Sequence, residues 1–232
     1  MPVPFFYSTG IPEEGLIRLS EEASKHISQV LRMNTGERLC ITDGLGKLYD
    51  AEISVSHKKH SIAAVQQVRE VDPPSTQTAI GISLLKHANR FEWFVEKATE
   101  MGIGAIIPLI CERTEKQTFR WNRIHNIMVS AMLQSQQAWL PHLPEPLKFS
   151  AVLDAGYRSR YIAHCEEKAD KQLLKNVTKD KGAIVLIGPE GDFSPVEINQ
   201  ALTAGFTPVS LGNTRLRTET AGVLAAAMLT QC

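Results

Sequence analysis

Two glycine-bearing loops near the C-terminus hold residue types from which chemistry can be built. The first reads Ile187-Gly188-Pro189-Glu190-Gly191-Asp192-Phe193-Ser194, the second Leu211-Gly212-Asn213-Thr214-Arg215-Leu216-Arg217-Thr218-Glu219-Thr220. Each follows a short apolar, strand-like run, and in an open parallel sheet ligands bind at the carboxyl ends of strands. Glycine there permits close backbone approach to a ligand, and Glu190 adds a carboxylate able to accept a proton. Arg215 and Arg217 stand beside a helix start, where a guanidinium suits an anion or a polar base edge; the plainer reading is two solvated charges flanking a cap. Ser194, Pro195 and Glu197 form a capping box with proline at the first helical position, a local stop-and-start signal with no catalytic content. The helix they open ends at Gly205. Thr218 is the expected cap of a last apolar helix over 221–229, whose Val223, Leu224 and Met228 suit a core or a dimer contact.

Several familiar chemistries lack their signatures. No G-x-G-x-x-G follows a strand, and there is no G-x-x-x-x-G-K-[ST], H-E-x-x-H or G-x-S-x-G. His57-Lys58-Lys59-His60 falls between two predicted strands and reads as a solvated hairpin tip. His164 and Cys165 are neighbours on a strand and face opposite ways, which denies them a nucleophile–base pairing. Cys40, Cys111, Cys165 and Cys232 are too scattered for a zinc or redox motif, so no metal is expected. Lys plus Arg and Asp plus Glu both number 25, for a net charge of zero, so any nucleic-acid contact must use local patches. The longest apolar run, 105–111, is strand-sized, so no membrane span is expected. Residues 1–15 lack a basic and apolar leader pattern, and a cytosolic address is expected.

The elements that would position these loops fall in two parts. Asp72-Pro73-Pro74-Ser75-Thr76 is the expected border, because consecutive prolines remove donors and hold the chain extended. Before it, 39–42, 49–55 and 62–68 read as strands, with Asp43-Gly44-Leu45-Gly46 as a hairpin turn and a helix capped by Ser20 running to about 33. After it, strands over 79–85, 105–110, 161–164 and 183–187 alternate with helices over 89–101 and within 121–139. Phe91, Phe94, Val95 and Ala98 recur at helical spacing. This alternation predicts an α/β domain with a mostly parallel sheet.

The two loops in this order resemble the paired signature of the RsmE-type ribosomal RNA small-subunit uridine N3-methyltransferases, a family of the SPOUT superfamily. The likeness extends along nearly the whole chain. His26-Ile27-Ser28-Gln29-Val30-Leu31-Arg32, Gly36 and Asp43-Gly44 resemble the family's PUA-like N-terminal domain, and Lys97-Ala98-Thr99-Glu100-Met101-Gly102 with Pro108 resembles its central stretch. The resemblance implies a small PUA-like β-barrel over 1–72 that binds RNA. It implies a SPOUT methyltransferase domain over 73–232 whose last three strands form a trefoil knot, with S-adenosylmethionine bent inside it. Backbone groups of Gly188, Gly212, Leu216 and Thr218 would hold the adenine edge, Ile187 and Leu211 would be apolar walls, and Pro189 and Gly191 would complete the first knot loop. The strand end near 164–166 would give the remaining loop.

By the same resemblance Arg217 would meet charge developing on the uracil, and Glu190 would accept the N3 proton or favour the sulfonium. Arg32, Gln134, Ser135 and Arg215 would touch the RNA. The substrate would be 16S ribosomal RNA or the small subunit, and the enzyme a homodimer. Leu133 and Gln137 depart from the family's Glu-Gln-Ser-x-Arg, so no acidic or phosphate-binding role carries over to them, and Asp192 stands where the family has glycine. Two other readings remain open at this point: a SPOUT methyltransferase acting on another base or a ribose hydroxyl, and a non-catalytic RNA-binding relative.

Overall fold

In the computed structural model the described residues are 3–10, 12, 14–73, 77–115, 118–166, 171–177 and 182–230. Pro74, Ser75 and Thr76 of the expected border, and Cys232, lie outside them. The chain divides into two units, residues 1–73 with 132–140, and residues 74–131 with 141–232.

In the first unit β-branched and aromatic residues alternate with polar ones, and strands result. β1 (Phe5–Tyr7), β2 (Leu16–Arg18), β3 (Arg38–Thr42), β4 (Lys47–Val55) and β5 (Ile62–Glu70) form one sheet in the order β1-β3-β4-β5-β2. Irregularities at Asp50/Ala51 and Ile53/Val55 in the β4–β5 register supply the bending that a half-barrel needs. The β3–β4 turn is built as its residues suggest: Asp43 Oδ1 accepts from the Leu45 and Lys47 amides at 2.7 and 3.0 Å. The Ser20 hydroxyl caps α1 (Glu21–Lys25), but the expected single helix changes at His26 into a π-helical turn, His26–Leu31, closed by Arg32 at φ 53°. Inside lie Phe6, Ile17, Ile27, Leu39, Ile41 and Ile53. Segment 132–140 joins this unit: Thr42 Oγ1 donates to the Ala138 carbonyl at 3.3 Å, and Trp139 Nε1 to that of Val71 at 3.1 Å. The border after residue 72 is therefore not a single cut, because this later stretch packs with the first unit.

The second unit is a seven-stranded sheet, parallel throughout. Its strands are β6 (Thr78–Ser83), β7 (Ala105–Ile110), β8 (Leu147–Lys148), β9 (Ser159–Ala163), β10 (Gln172–Leu173), β11 (Ala183–Ile187) and β12 (Thr207–Ser210), in the order β10-β12-β9-β11-β6-β7-β8. The central strands are continuous apolar runs, as burial on both faces requires. On one face Phe149 and Val152 of α4 (Phe149–Val152) and Ile198 and Ala201 of α5 (Pro195–Thr203) pack over Ile162, Ile184 and Leu186. On the other, α2 (Ala88–Glu100) buries Phe91, Phe94, Val95 and Ala98 and packs with α6 (Thr218–Thr230). Gly222 allows that approach, since a Cβ there would lie 2.7 Å from the Phe94 ring and 2.9 Å from Ile82.

Strand order carries the topology. The chain leaves β9, forms β10 at the sheet edge and returns as β11 on the other side of β9, while the later β12 lies between β10 and β9. The last segment then crosses to α6 on the α2 side. A late strand lodged inside an earlier loop is the threading of a trefoil knot, a topology that ordinary connection rules disfavour.

Candidate RNA methyltransferase site

The knotted strands end side by side. Ala163, last residue of β9, pairs with Ile187 of β11 on one side and Val209 of β12 on the other. The three loops that follow therefore meet at one edge of the sheet. They enclose a cavity of about 810 Å³, within the ~300–1,000 Å³ range of small-molecule sites.

Ten sequence-predicted residues line this cavity. Ile187, Gly188, Pro189 and Glu190 come from the first loop, Leu211, Gly212, Arg215, Leu216, Arg217 and Thr218 from the second. Gly191 does not line it. Its carbonyl instead accepts from Arg113 Nη1 at 2.7 Å, so this glycine sits where the loop is tied down. Arg32, Gln134 and Ser135 belong to the first unit and are not among the lining residues. Ser135 Oγ accepts from Gln137 Nε2 at 2.9 Å, which gives the departing Gln137 a local partner.

The first loop is held at several points. The expected capping box is present, Ser194 Oγ accepting from the Glu197 amide at 3.3 Å and Glu197 Oε2 from the Ser194 amide at 2.9 Å. Glu197 Oε1 also accepts from the Glu112 amide at 2.8 Å, tying the cap to the end of β7. Glu190 Oε1 accepts from the Lys86 amide at 3.1 Å. Asp192, at φ 64°, takes the left-handed conformation that glycine fills in the resembling family, and uses its carboxylate as a clasp. Oδ2 accepts from the Cys165 amide and Oδ1 from the Phe193 amide, both at 2.8 Å. Gly188 has a reason different from ligand approach: a Cβ there would lie 3.0 Å from the Phe193 nitrogen and 3.3 Å from the Asp192 carbonyl carbon. The loop's own backbone requires that glycine.

The second loop is braced mainly at its start, where Ser210 Oγ donates to the Gly212 carbonyl at 2.9 Å and accepts from its amide at 3.2 Å. Gly212, at φ 145°, has nothing within 4 Å of where a Cβ would be, so backbone conformation and open space both favour glycine. The helix that follows starts at Thr218, three residues before the expected 221, and the Ala221 amide donates to the Arg217 carbonyl at 2.8 Å. Arg217, not Thr218, thus occupies the cap. Thr218 is a buried first-turn residue. Arg215 and Arg217 are exposed, and among the described residues neither takes part in a side-chain hydrogen bond or ion pair.

The third wall was only loosely indicated by sequence. Lys171 Nζ donates to the His164 carbonyl at 2.8 Å and to that of Glu166, closing the turn after β9. Burial, then the Lys171 cation, lowers the His164 pKa, so its imidazole is uncharged at neutral pH. Arg90 lines the cavity from the first turn of α2, with Nε 3.7 Å from Glu219 Oε1. Neither Arg90 nor Lys171 was singled out from sequence, although a helix that directly follows β6 must place its first turn at this edge.

A cavity with flat apolar walls, backbone edges and four lining cations suits a heteroaromatic ligand and an anionic polymer. A protein-family model described as an RNA methyltransferase domain matches residues 72–230, and one described as an RNA methyltransferase PUA domain matches 19–66. The chain belongs to this RNA methyltransferase family. Ribosomal RNA small subunit methyltransferase E of Synechocystis sp. is 29% identical over 229 residues, covering 93% of this chain and 73% of that protein. A probable rRNA-methyltransferase from Porphyromonas gingivalis superposes with a TM-score of 0.91 at 35% identity, covering 99% of both chains. Ribosomal RNA small subunit methyltransferase E from Neisseria gonorrhoeae, solved bound to S-adenosyl methionine, gives 0.86 at 29% identity over 99% of this chain and 97% of that one. An RNA methyltransferase with a PUA-like half-barrel and a knotted SPOUT-type parallel sheet is the fold that the resemblance implied.

Proposed function

We propose that this chain transfers a methyl group from S-adenosylmethionine to N3 of a uridine in 16S ribosomal RNA of the small subunit. The observation that carries the reading is the convergence of both signature loops on one cavity at the knotted edge, with guanidinium groups at its rim that have no side-chain partner among the described residues. The residues present fit that cofactor. Ile187 and Leu211 are apolar walls, Gly212 leaves space beside the backbone, and the His164 floor offers a buried polar atom that no group among the described residues satisfies. Backbone groups of Gly188, Gly212, Leu216 and Thr218 would hold the adenine edge, with Pro189 and Gly191 shaping the loop behind it. Residues 1–72 serve as the RNA-binding domain and 73–232 as the catalytic one. Arg32, Gln134, Ser135 and Arg215 are the RNA contacts.

The bound cofactor supplies a methyl group on a sulfonium. Uridine N3 carries a proton that must leave as the nitrogen takes the methyl group, whose carbon–sulfur bond would break with its electron pair left on sulfur as a neutral thioether. Glu190, with one oxygen held by the Lys86 amide and the residue exposed, would accept that proton or favour the sulfonium. Arg217, whose carbonyl accepts from the Ala221 amide at the start of α6, would donate to the uracil oxygen on which negative charge grows. Holding base and methyl donor in line supplies the rest. The enzyme acts as a homodimer, joined through the Val223, Leu224 and Met228 side of α6, in the cytoplasm; among the described residues no helix is long and apolar enough to cross a membrane.

The test is incubation with methyl-labelled S-adenosylmethionine and small subunits from cells lacking this chain. Label in 16S RNA is the expected result. RNA binding with neither label transfer nor cofactor affinity would make the chain a non-catalytic RNA-binding protein.

A further inference from the structure

Two buried side-chain polar atoms among the described residues lack a hydrogen-bond partner, His164 Nε2 and Glu219 Oε2. Such atoms are uncommon in native structures and call for a cause. Glu219 has one nearby, since its other oxygen faces the Arg90 guanidinium. For His164 the described protein groups offer none.

Its place in the fold narrows the answer. His164 directly follows Ala163, the residue flanked by Ile187 on one side and Val209 on the other. It therefore forms the floor of the cavity between the two glycine loops, and it is only 7% exposed. The ring is held. Nδ1 accepts from the Glu166 amide at 3.3 Å, which leaves the proton of the neutral imidazole on Nε2 and makes that atom a donor. The backbone around it is pinned by the Asp192 clasp on the Cys165 amide and by Lys171 on the His164 and Glu166 carbonyls. A buried donor without an acceptor is a cost that a ligand carrying an acceptor removes. A ligand carboxylate would be matched by the Arg90 or Lys171 cations, whereas an uncharged donor between apolar walls matches a neutral acceptor on a flat or sugar group.

We propose that the His164 imidazole recognises the cofactor, its Nε2–H donating a hydrogen bond to a ring nitrogen or ribose hydroxyl of the adenosyl portion. The assignment rests on the methyltransferase reading above. It makes His164 a binding residue that senses the adenosyl group and not the sulfonium.

The test is calorimetric titration of wild type, His164→Ala and His164→Gln with S-adenosylmethionine and with S-adenosylhomocysteine, beside nitrogen-15 spectra of the wild-type histidines. His164→Ala should weaken both ligands by a similar factor, roughly tenfold. His164→Gln, whose side-chain amide can present an N–H near the same point, should recover most of the loss. In wild type the His164 Nε2–H resonance should move and exchange more slowly when S-adenosylhomocysteine is added, a readout that does not depend on any variant folding. Alanine affinity within about twofold of wild type, a loss confined to the sulfonium ligand, or an unmoved wild-type resonance at saturation would each overturn the assignment. Wild type binding neither ligand would overturn the methyltransferase reading itself, and this inference with it.

Discussion

The two glycine loops share an edge of one sheet and are built in opposite ways. Residues 187–194 are fastened at Glu190, Gly191, Asp192 and Ser194 to the segments that follow β6, β7 and β9 and to α5. Residues 211–218 are braced mainly at Ser210–Gly212, then carry two arginines without side-chain partners among the described residues. A fastened loop preorganises a binding surface, at the cost of having few groups to spare. A loop with unspent guanidinium groups can give them to a substrate. On the proposed reading both loops hold the cofactor, and the second alone adds guanidinium groups to stabilise charge during methyl transfer.

Perturbing the loops separately should expose that division. Arg217→Ala should have the largest effect, lowering the single-turnover rate roughly a hundredfold, on the order of 3 kcal/mol, by removing one transition-state donor. Cofactor affinity should stay within about twofold, because no ground-state contact is lost. A near wild-type rate at saturating RNA and cofactor would reduce Arg217 to a surface charge. Gly188→Val should come next. The new side chain meets the Phe193 and Asp192 backbone, so cofactor binding should fail together with ~1–3 kcal/mol of stability, the usual cost of overpacking. Lost binding with unchanged denaturation would restore the simpler picture of a side chain blocking a ligand.

Asp192→Asn should be milder, costing about 1.5 kcal/mol through its weakened charge-assisted bonds. Hydrogen exchange at the Cys165 amide should quicken in this variant, and unchanged protection would show that the clasp does not hold the turn after β9. The His164 pKa is lowered in the folded chain, while an unfolded histidine titrates near about 6.5. Stability from keeping this ring neutral is thus present above that pH and lost as pH falls below it. Denaturation midpoints followed downward from neutrality should fall more steeply for wild type than for His164→Gln, and parallel curves would remove His164 as the source. Arg215→Ala should do least to stability, within about 0.5 kcal/mol, as for an exposed unpaired residue. Its effect should appear as weaker RNA binding, read by filter retention at low salt.

Local signals in the sequence carried much of the site. The Ser194–Glu197 capping box, the helical spacing from Phe91 to Ala98 and the Asp43 turn depend on residues a few positions apart, where composition directly constrains geometry. Strand order does not arise locally. Nothing in 207–210 says that this strand lies between β9 and β10, so the knot came only from resemblance. Arg90 and Lys171 join the cavity from distant segments for the same reason. Arg217 and Thr218 exchanged capping roles because a threonine is a good cap wherever it stands, and the fold started the helix one turn early. Gly188 is the subtler case: glycine at a strand end reads as room for a ligand, whereas the space beside it is taken by the backbone of Asp192 and Phe193.

Methyl transfer to uridine N3 is tested at its root by the identity of the methylated atom. Small-subunit RNA labelled by the wild-type chain would be digested to nucleosides and resolved by mass spectrometry, with Arg217→Ala reacted in parallel. One modified nucleoside is expected, 3-methyluridine, forming roughly a hundredfold more slowly with the variant. Label on a ribose oxygen or on another base, or equal rates for the two proteins, would contradict it.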